Sequence, residues 1–204
     1  MIITEEMLSE LRRSIANDMS EKRYSHTLGV ERMARYLAGF LLPDRVNEIS
    51  AAALLHDISK EIPIELQIIM LKDDGFDLSD EDLKTPGVLH SFSAPIVIKS
   101  KYPKFSTPDI LKSVFSHTIG NENMSVFDKI IFVSDYTEDT RVYESCIKVR
   151  EKMLAGFEKI NYEEKLCRLD EACMDSLNGT LEAIKKYGRP VNSRYKKGIK
   201  GFGG

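Results

Sequence analysis

An all-α fold is predicted for this chain on three observations. Apolar residues recur at three- and four-residue intervals along almost the whole sequence. No segment shows the strict alternation of a half-buried strand, and capping residues and prolines fall where helices should start and stop. The 204 residues are 42% hydrophobic and 30% charged, the balance of one globular domain. That balance excludes a disordered, collagen-like or disulfide-stapled chain.

The elements follow in order. Thr4 caps a first helix, with Glu5 and Glu6 in its opening turn and Met7, Leu8, Leu11 and Ile15 as its apolar stripe. A second helix runs from about Tyr24 to Phe40 and stops before Pro43. A third covers Arg45 to Lys60 and ends near Pro63, and a shorter one spans Ile64 to Lys72. The acidic stretch Asp73 to Thr85 reads as a surface loop with a turn or two of helix. After Pro86-Gly87 comes a helix from Val88 to Lys101, kinked or broken at Pro95. Pro108 opens a helix that ends near His117. Ser125 caps another through about Glu138, and a last long pattern runs from Tyr162 to Tyr187 before Gly188-Arg189-Pro190. No internal repeat or linker divides the chain, so residues 1–188 read as a single helical domain. Residues 189–204 follow as a basic tail with five cations and no acid, expected to be solvated or flexible.

Charge narrows the partners. The 29 basic and 32 acidic side chains leave a formal charge of −3, so no global field draws nucleic acid or an anionic membrane. Cys146, Cys167 and Cys173 are odd in number and lack metal-ligand spacing, which fits reduced thiols. The N-terminus has no apolar signal core, and the longest apolar runs, 51–55 and 130–133, are too short to span a bilayer. A cytoplasmic location is expected.

The chemistry gathers around the histidines. Asp135 lies on the buried side of its helix, in register with Ile131, Asp128 and Phe127. A carboxylate there costs several kcal/mol, roughly, unless paired; a helix-to-helix hydrogen bond is the plain explanation. His56 and Asp57 close a small-residue helix, ISAAALLHDISK, that lets other helices approach. Lys60, one turn on, reaches the same pocket or else serves only the helix dipole. His26, His90 and His117 each point inward from a helix end or first turn. One such histidine is usually a hydrogen-bonded core residue. Four histidines and two acids so placed describe a pocket for a divalent transition ion.

The blocks RYSHTLGV, ALLHDISK, LHSFSAP, SHTIG and KIIFVSDYTEDTR, in that order, resemble the HD-domain metal-dependent phosphohydrolases. Among these the chain is most similar to the bacterial YqeK-like family, which splits diadenosine tetraphosphate symmetrically into two ADP. The similarity covers a core of about residues 23–141. It implies a phosphodiesterase-like helical bundle around a metal site. It implies that His26, His56, Asp57 and Asp135 hold a first metal. His90 and His117 would hold a second metal or contact phosphate, with a protonated His90 or His117 as the alternative general acid. Arg23, Lys60, Thr118 and Arg141 would surround the nucleotide phosphates. Iron is the metal the resemblance suggests, as one or two ions. Metal-bound hydroxide would attack a phosphoanhydride, with Asp57 orienting the water and Lys60 stabilising charge. The expected partners are the dinucleoside polyphosphate and ADP, with no membrane or nucleic acid and with a homodimer admitted. The alternatives are another HD nucleotide phosphohydrolase, namely a mononucleotidase or phosphodiesterase, and a non-catalytic nucleotide- or RNA-binding module.

Overall fold

The computed structural model describes residues 2–202, and among these it contains helices and turns but no strand. The helices are α1 (Glu5–Ile15), α2 (Glu21–Leu41), α3 (Val46–Leu55), α4 (Ile64–Asp73), α5 (Asp80–Lys84) and α6 (Leu89–Lys101). They continue with α7 (Pro108–Ser116), α8 (Val126–Thr137), α9 (Glu144–Leu154), α10 (Tyr162–Lys186) and α11 (Tyr195–Phe202). Local chemistry sets most of the starts. Thr4, Ser20, Thr107, Ser125 and Asn161 each accept a backbone N–H from the first turn they precede. The Ser125 and Asn161 amides in turn donate to the side chains of Asp128 and Glu164, which completes a capping box at each.

Helix α3 is the axis of the molecule. Ile49 through Leu55 are all fully buried, three of them alanines, so α1, α2, α7 and α8 close around it. Small side chains set the close approach, and the larger Leu37, Ile110, Phe127 and Ile131 fill the gaps between neighbours. Helices α8, α9 and α10 form a second group against this core.

Three expectations need correction. Helix α3 stops at Leu55, not Lys60: residues 56–61 turn under i+3 bonds such as Ile58 N–H to Leu55 O and Lys60 N–H to Asp57 O. Lys60 therefore reaches the pocket from a tight turn and shares no helix face with His56. Helix α6 runs unbroken through Pro95, which lies in its second turn and forgoes one i−4 bond. The sequence reading assigns no element to residues 139–161, where Cys146, Val149 and Met153 give α9 a short buried stripe.

The tail is not a solvated strand of charge. Its Arg194 donates two hydrogen bonds of 2.9 Å to the buried Asp82, while Asn192 donates to Asp82 and to Thr85. The Arg194 guanidinium also covers the rings of Phe76 and Phe92, and Tyr195 is buried. Gly198 lies against the backbone of Ile119 and Gly120, so closely that a Cβ would collide with the Ile119 carbonyl. The last two residues of the expected tail, 203 and 204, lie outside the described residues.

Candidate metal centre

Five segments converge on one buried point. His26 comes from the first turn and a half of α2, His56 and Asp57 from the turn after α3, and His90 from the start of α6. His117 follows the last residue of α7, and Asp135 lies in the last turn of α8. The sequence-expected residues are thus brought together, including all four histidines.

Each of three histidines has its Nδ1 tethered away from the centre. His26 Nδ1 lies 3.1 Å from Glu138 Oε1, His56 Nδ1 2.6 Å from the Ala53 carbonyl, and His117 Nδ1 2.5 Å from the Val114 carbonyl. At His56 and His117 an Nδ1–H donated to these carbonyls leaves Nε2 with a lone pair aimed inward. Glu138 is a residue the periodicity did not single out. It is fully buried and accepts from the Thr140 amide and hydroxyl. The bare Gly29 of α2 makes its place, since a methyl group there would fall inside contact distance of Glu138 Oε2.

Asp57 is the hinge of the geometry. Its Oδ2 faces His56 Nε2 at 3.5 Å and His26 Nε2 at 3.9 Å. Its Oδ1 faces His90 Nε2 at 3.2 Å and His117 Nε2 at 3.4 Å. Asp135 Oδ1 lies 3.0 Å from His26 Nε2 and 3.8 Å from His56 Nε2. The buried atoms His26 Nε2, His56 Nε2 and Asp57 Oδ1 have no hydrogen-bond partner. Unsatisfied donor atoms of this kind are costly in a core and are accounted for by a cation. Three overlapping sets could hold one: His26, His56 and Asp57; His56, His117 and Asp135; and Asp57, His90 and His117.

Cations ring the same point. Arg23 donates to Asp57 Oδ2 at 2.5 Å, and Arg141 donates to Asp135 Oδ1 at 2.7 Å. The Lys60 ammonium lies 3.0 Å from His90 Nε2, and the Thr118 hydroxyl 3.1 Å from the same atom. Burial opposes ionisation of Asp57, yet the fields of His56 and Lys60 outweigh it and hold the carboxyl well below its ordinary range. Burial likewise opposes Asp135, and the Arg141 charge and His26 win there too. His26 is disfavoured as a cation by burial, but the Asp135 and Glu138 carboxylates raise it to about 9. Burial and the Lys60 charge push His90 down to about 3, so this imidazole is neutral at physiological pH. A neutral ring suits a ligand or an acceptor.

The HD domain family matches residues 23–140 of the chain. A symmetrical bis(5'-nucleosyl)-tetraphosphatase of Halalkalibacterium halodurans is 28% identical over 175 residues, spanning 85% of this chain and 84% of that protein. The protein of the same description from Bacillus subtilis is 28% identical over 179 residues, spanning 87% of each. A crystal structure from Clostridium acetobutylicum, described as a predicted HD superfamily hydrolase involved in NAD metabolism, superposes with a TM-score of 0.80. It is 26% identical and the match covers 95% of both chains.

Proposed function

We propose that this chain, which belongs to the HD domain family, hydrolyses diadenosine tetraphosphate to two ADP with a divalent metal at the centre described above. The observation that carries the reading is the two-sided Asp57, with one carboxylate oxygen toward His26 and His56 and the other toward His90 and His117. This arrangement suits a carboxylate shared between two ions. In this reading His26, His56, Asp57 and Asp135 hold the first ion, and His90 and His117 hold a second or meet phosphate. Iron is the metal proposed, in one or two copies, although imidazole and carboxylate donors also accept manganese, cobalt or zinc. Bound there, the metal lowers the pKa of water and polarises a phosphoryl oxygen.

The chain's own residues do the rest. Asp57 orients the attacking water in line with the phosphoanhydride that breaks. Arg23 and Arg141 are held at the centre by its carboxylates and Lys60 lies against His90, and on substrate entry they exchange those contacts for the equatorial oxygens of the polyphosphate. Lys60 is buried, which depresses its pKa, but Asp57 and Asp135 oppose that shift and favour its charge. The Thr118 hydroxyl supplies a neutral donor beside the outer histidines. Cleavage at the middle of a tetraphosphate leaves ADP as both products, and the protein is read as cytoplasmic. Among the described residues, no helix is long and apolar enough to cross a membrane.

The test is chromatographic. Metal-loaded protein incubated with diadenosine tetraphosphate should yield ADP alone, and His56→Ala or Asp57→Ala should lose metal and turnover together. ATP plus AMP as products would overturn symmetric cleavage. Phosphate release from mononucleotides, with dinucleotides intact, would make the protein a nucleotidase.

A further inference from the structure

A cavity of about 390 Å³ lies where the segment leading into α6 meets the end of α10 and the first residue of α11. Its volume is within the range of small-molecule sites, ~300–1,000 Å³. None of the residues that line it belongs to the metal centre. Val88, Ile184 and Pro190 give it apolar walls, and the exposed Lys84 and Arg189 line it as well.

Tyr195 is the polar side chain buried in this wall. It is 5% exposed, and its hydroxyl makes no hydrogen bond among the described residues. Burial is the one influence on its ionisation and pushes it up to about 12, so the phenol is a donor at neutral pH. A buried tyrosine hydroxyl ordinarily finds a partner, and one that does not calls for an acceptor from outside the chain. The two cations repeat the pattern. Neither Lys84 nor Arg189 has an ion-pair partner among the described residues, and no carboxylate lines the cavity. The Arg189 guanidinium lies 5.8 Å from the Tyr187 ring, a contact that leaves its N–H groups free. The Thr85 hydroxyl, by contrast, is engaged, donating to the Glu81 carbonyl and accepting from Asn192. The side chains left without partners are therefore all donors, and two of the three are charged.

We propose that this cavity is a second ligand site, separate from the metal centre, for a small organic anion: a carboxylate or phosphate monoester on a ring-sized apolar body. The anionic oxygens accept from the Tyr195 hydroxyl and face Lys84 and Arg189, while the body packs on Val88, Ile184 and Pro190. The site does not depend on the hydrolase reading. It does adjoin the centre's framework, since Val88 stands two positions before His90.

The test is a titration followed by NMR. Metal-loaded protein held in saturating ADP, which occupies the metal centre, receives phenylacetate or phenyl phosphate. Saturable binding of one anion per chain is expected. Phenylacetamide, which lacks the charge, and acetate, which lacks the ring, should bind roughly 10-fold or more weakly. Tyr195→Phe removes a hydroxyl that has no intramolecular partner, so Tm should stay at the wild-type value while anion affinity falls roughly 5-fold or more. The Lys84→Met, Arg189→Met pair, both at exposed positions, should weaken the anions and leave phenylacetamide unchanged; this arm decides alone if the Tyr195 variant does not fold. Saturable binding of neither anion, equal affinity for phenylacetamide, or anion affinity that survives these substitutions would overturn the site. Displacement of the anion by excess ADP would make the cavity part of the nucleotide cleft and overturn it too.

Discussion

Glu138 and Lys60 are the two side chains whose roles are set by their immediate neighbours. Glu138 holds His26 by its Nδ1, and Glu138→Gln would keep the shape while removing the charge. Metal affinity should fall by roughly 10–100-fold with the fold intact, as for other partners that orient a ligand. Calorimetric metal titrations of both proteins check this, and equal affinities would remove Glu138 from the site. His26 also carries a pH signature. Its raised value, about 9, means that apo protein at pH 7.5 holds a proton that a metal must displace. Metal loading should release that proton, and affinity should rise with pH until about 9. Titrations in buffers of differing ionisation heat measure the release, and none at pH 7.5 would contradict it. Lys60→Met keeps the aliphatic stem and removes the ammonium beside His90. A fall in kcat/KM of roughly 10²-fold, with normal metal content, is expected from losing one preorganised donor. Unchanged turnover would make Lys60 a structural residue of the turn.

At the scale of elements, helices with a long apolar pattern were legible, capped or not, as α3, α4 and α6 show. Thr4 and Ser125 announce α1 and α8 because a side-chain cap is a local event written within four residues, and Pro108 announces α7. Helix α9 has no side-chain cap, and its buried stripe is three residues long, so its pattern is faint. The inward histidines and Asp135 were legible from helical spacing. Glu138 was not, because its burial depends on the crossing of α2 over the end of α8, a tertiary event. Gly29 is the residue at that crossing. Gly29→Ala should push Glu138 off His26 and weaken metal binding as Glu138→Gln does, with a loss of stability added by overpacking of roughly 1–3 kcal/mol. Denaturant midpoints and metal titrations together test it, and a variant that keeps both at wild-type values would show that α2 can yield.

For the whole molecule, the C-terminal segment joins regions far apart in sequence. Asn192 and Arg194 hold Asp82 and Thr85, just ahead of the helix that carries His90, and Gly198 rests on the backbone beside His117 and Thr118. Charge composition alone suggested a loose tail; neither the buried Asp82 nor its distant partner is visible from local pattern. Burial opposes the charged form of Asp82, but Arg194, Asn192 and Ser79 hold its carboxyl well below the ordinary range. A carboxyl depressed in the folded state stabilises above its unfolded pKa, about 3.9, and that stability is lost as pH falls toward the folded value. Wild type should therefore lose urea resistance between pH 5 and 3 more steeply than Asp82→Asn does, roughly, through this group. Arg194→Met leaves the buried Asp82 carboxylate with only the neutral donors of Asn192 and Ser79, and should cost roughly 1–3 kcal/mol at pH 7. Parallel unfolding curves for wild type and Asp82→Asn across that pH range would contradict the assignment.

The tethers of His56 and His117 have a consequence for how such a centre can be built at all. Both residues stand one position past a helix, and both give Nδ1–H to the carbonyl three residues back. Carbonyls of a last helical turn lack a partner within the helix. One hydrogen bond therefore finishes the helix and chooses the imidazole tautomer in the same act. No loop has to be invented to hold the ring, and the unit is portable: any helix ending in histidine with a free carbonyl behind it presents a directed nitrogen. Two such helix ends aimed at a common point already supply half of a four-coordinate site.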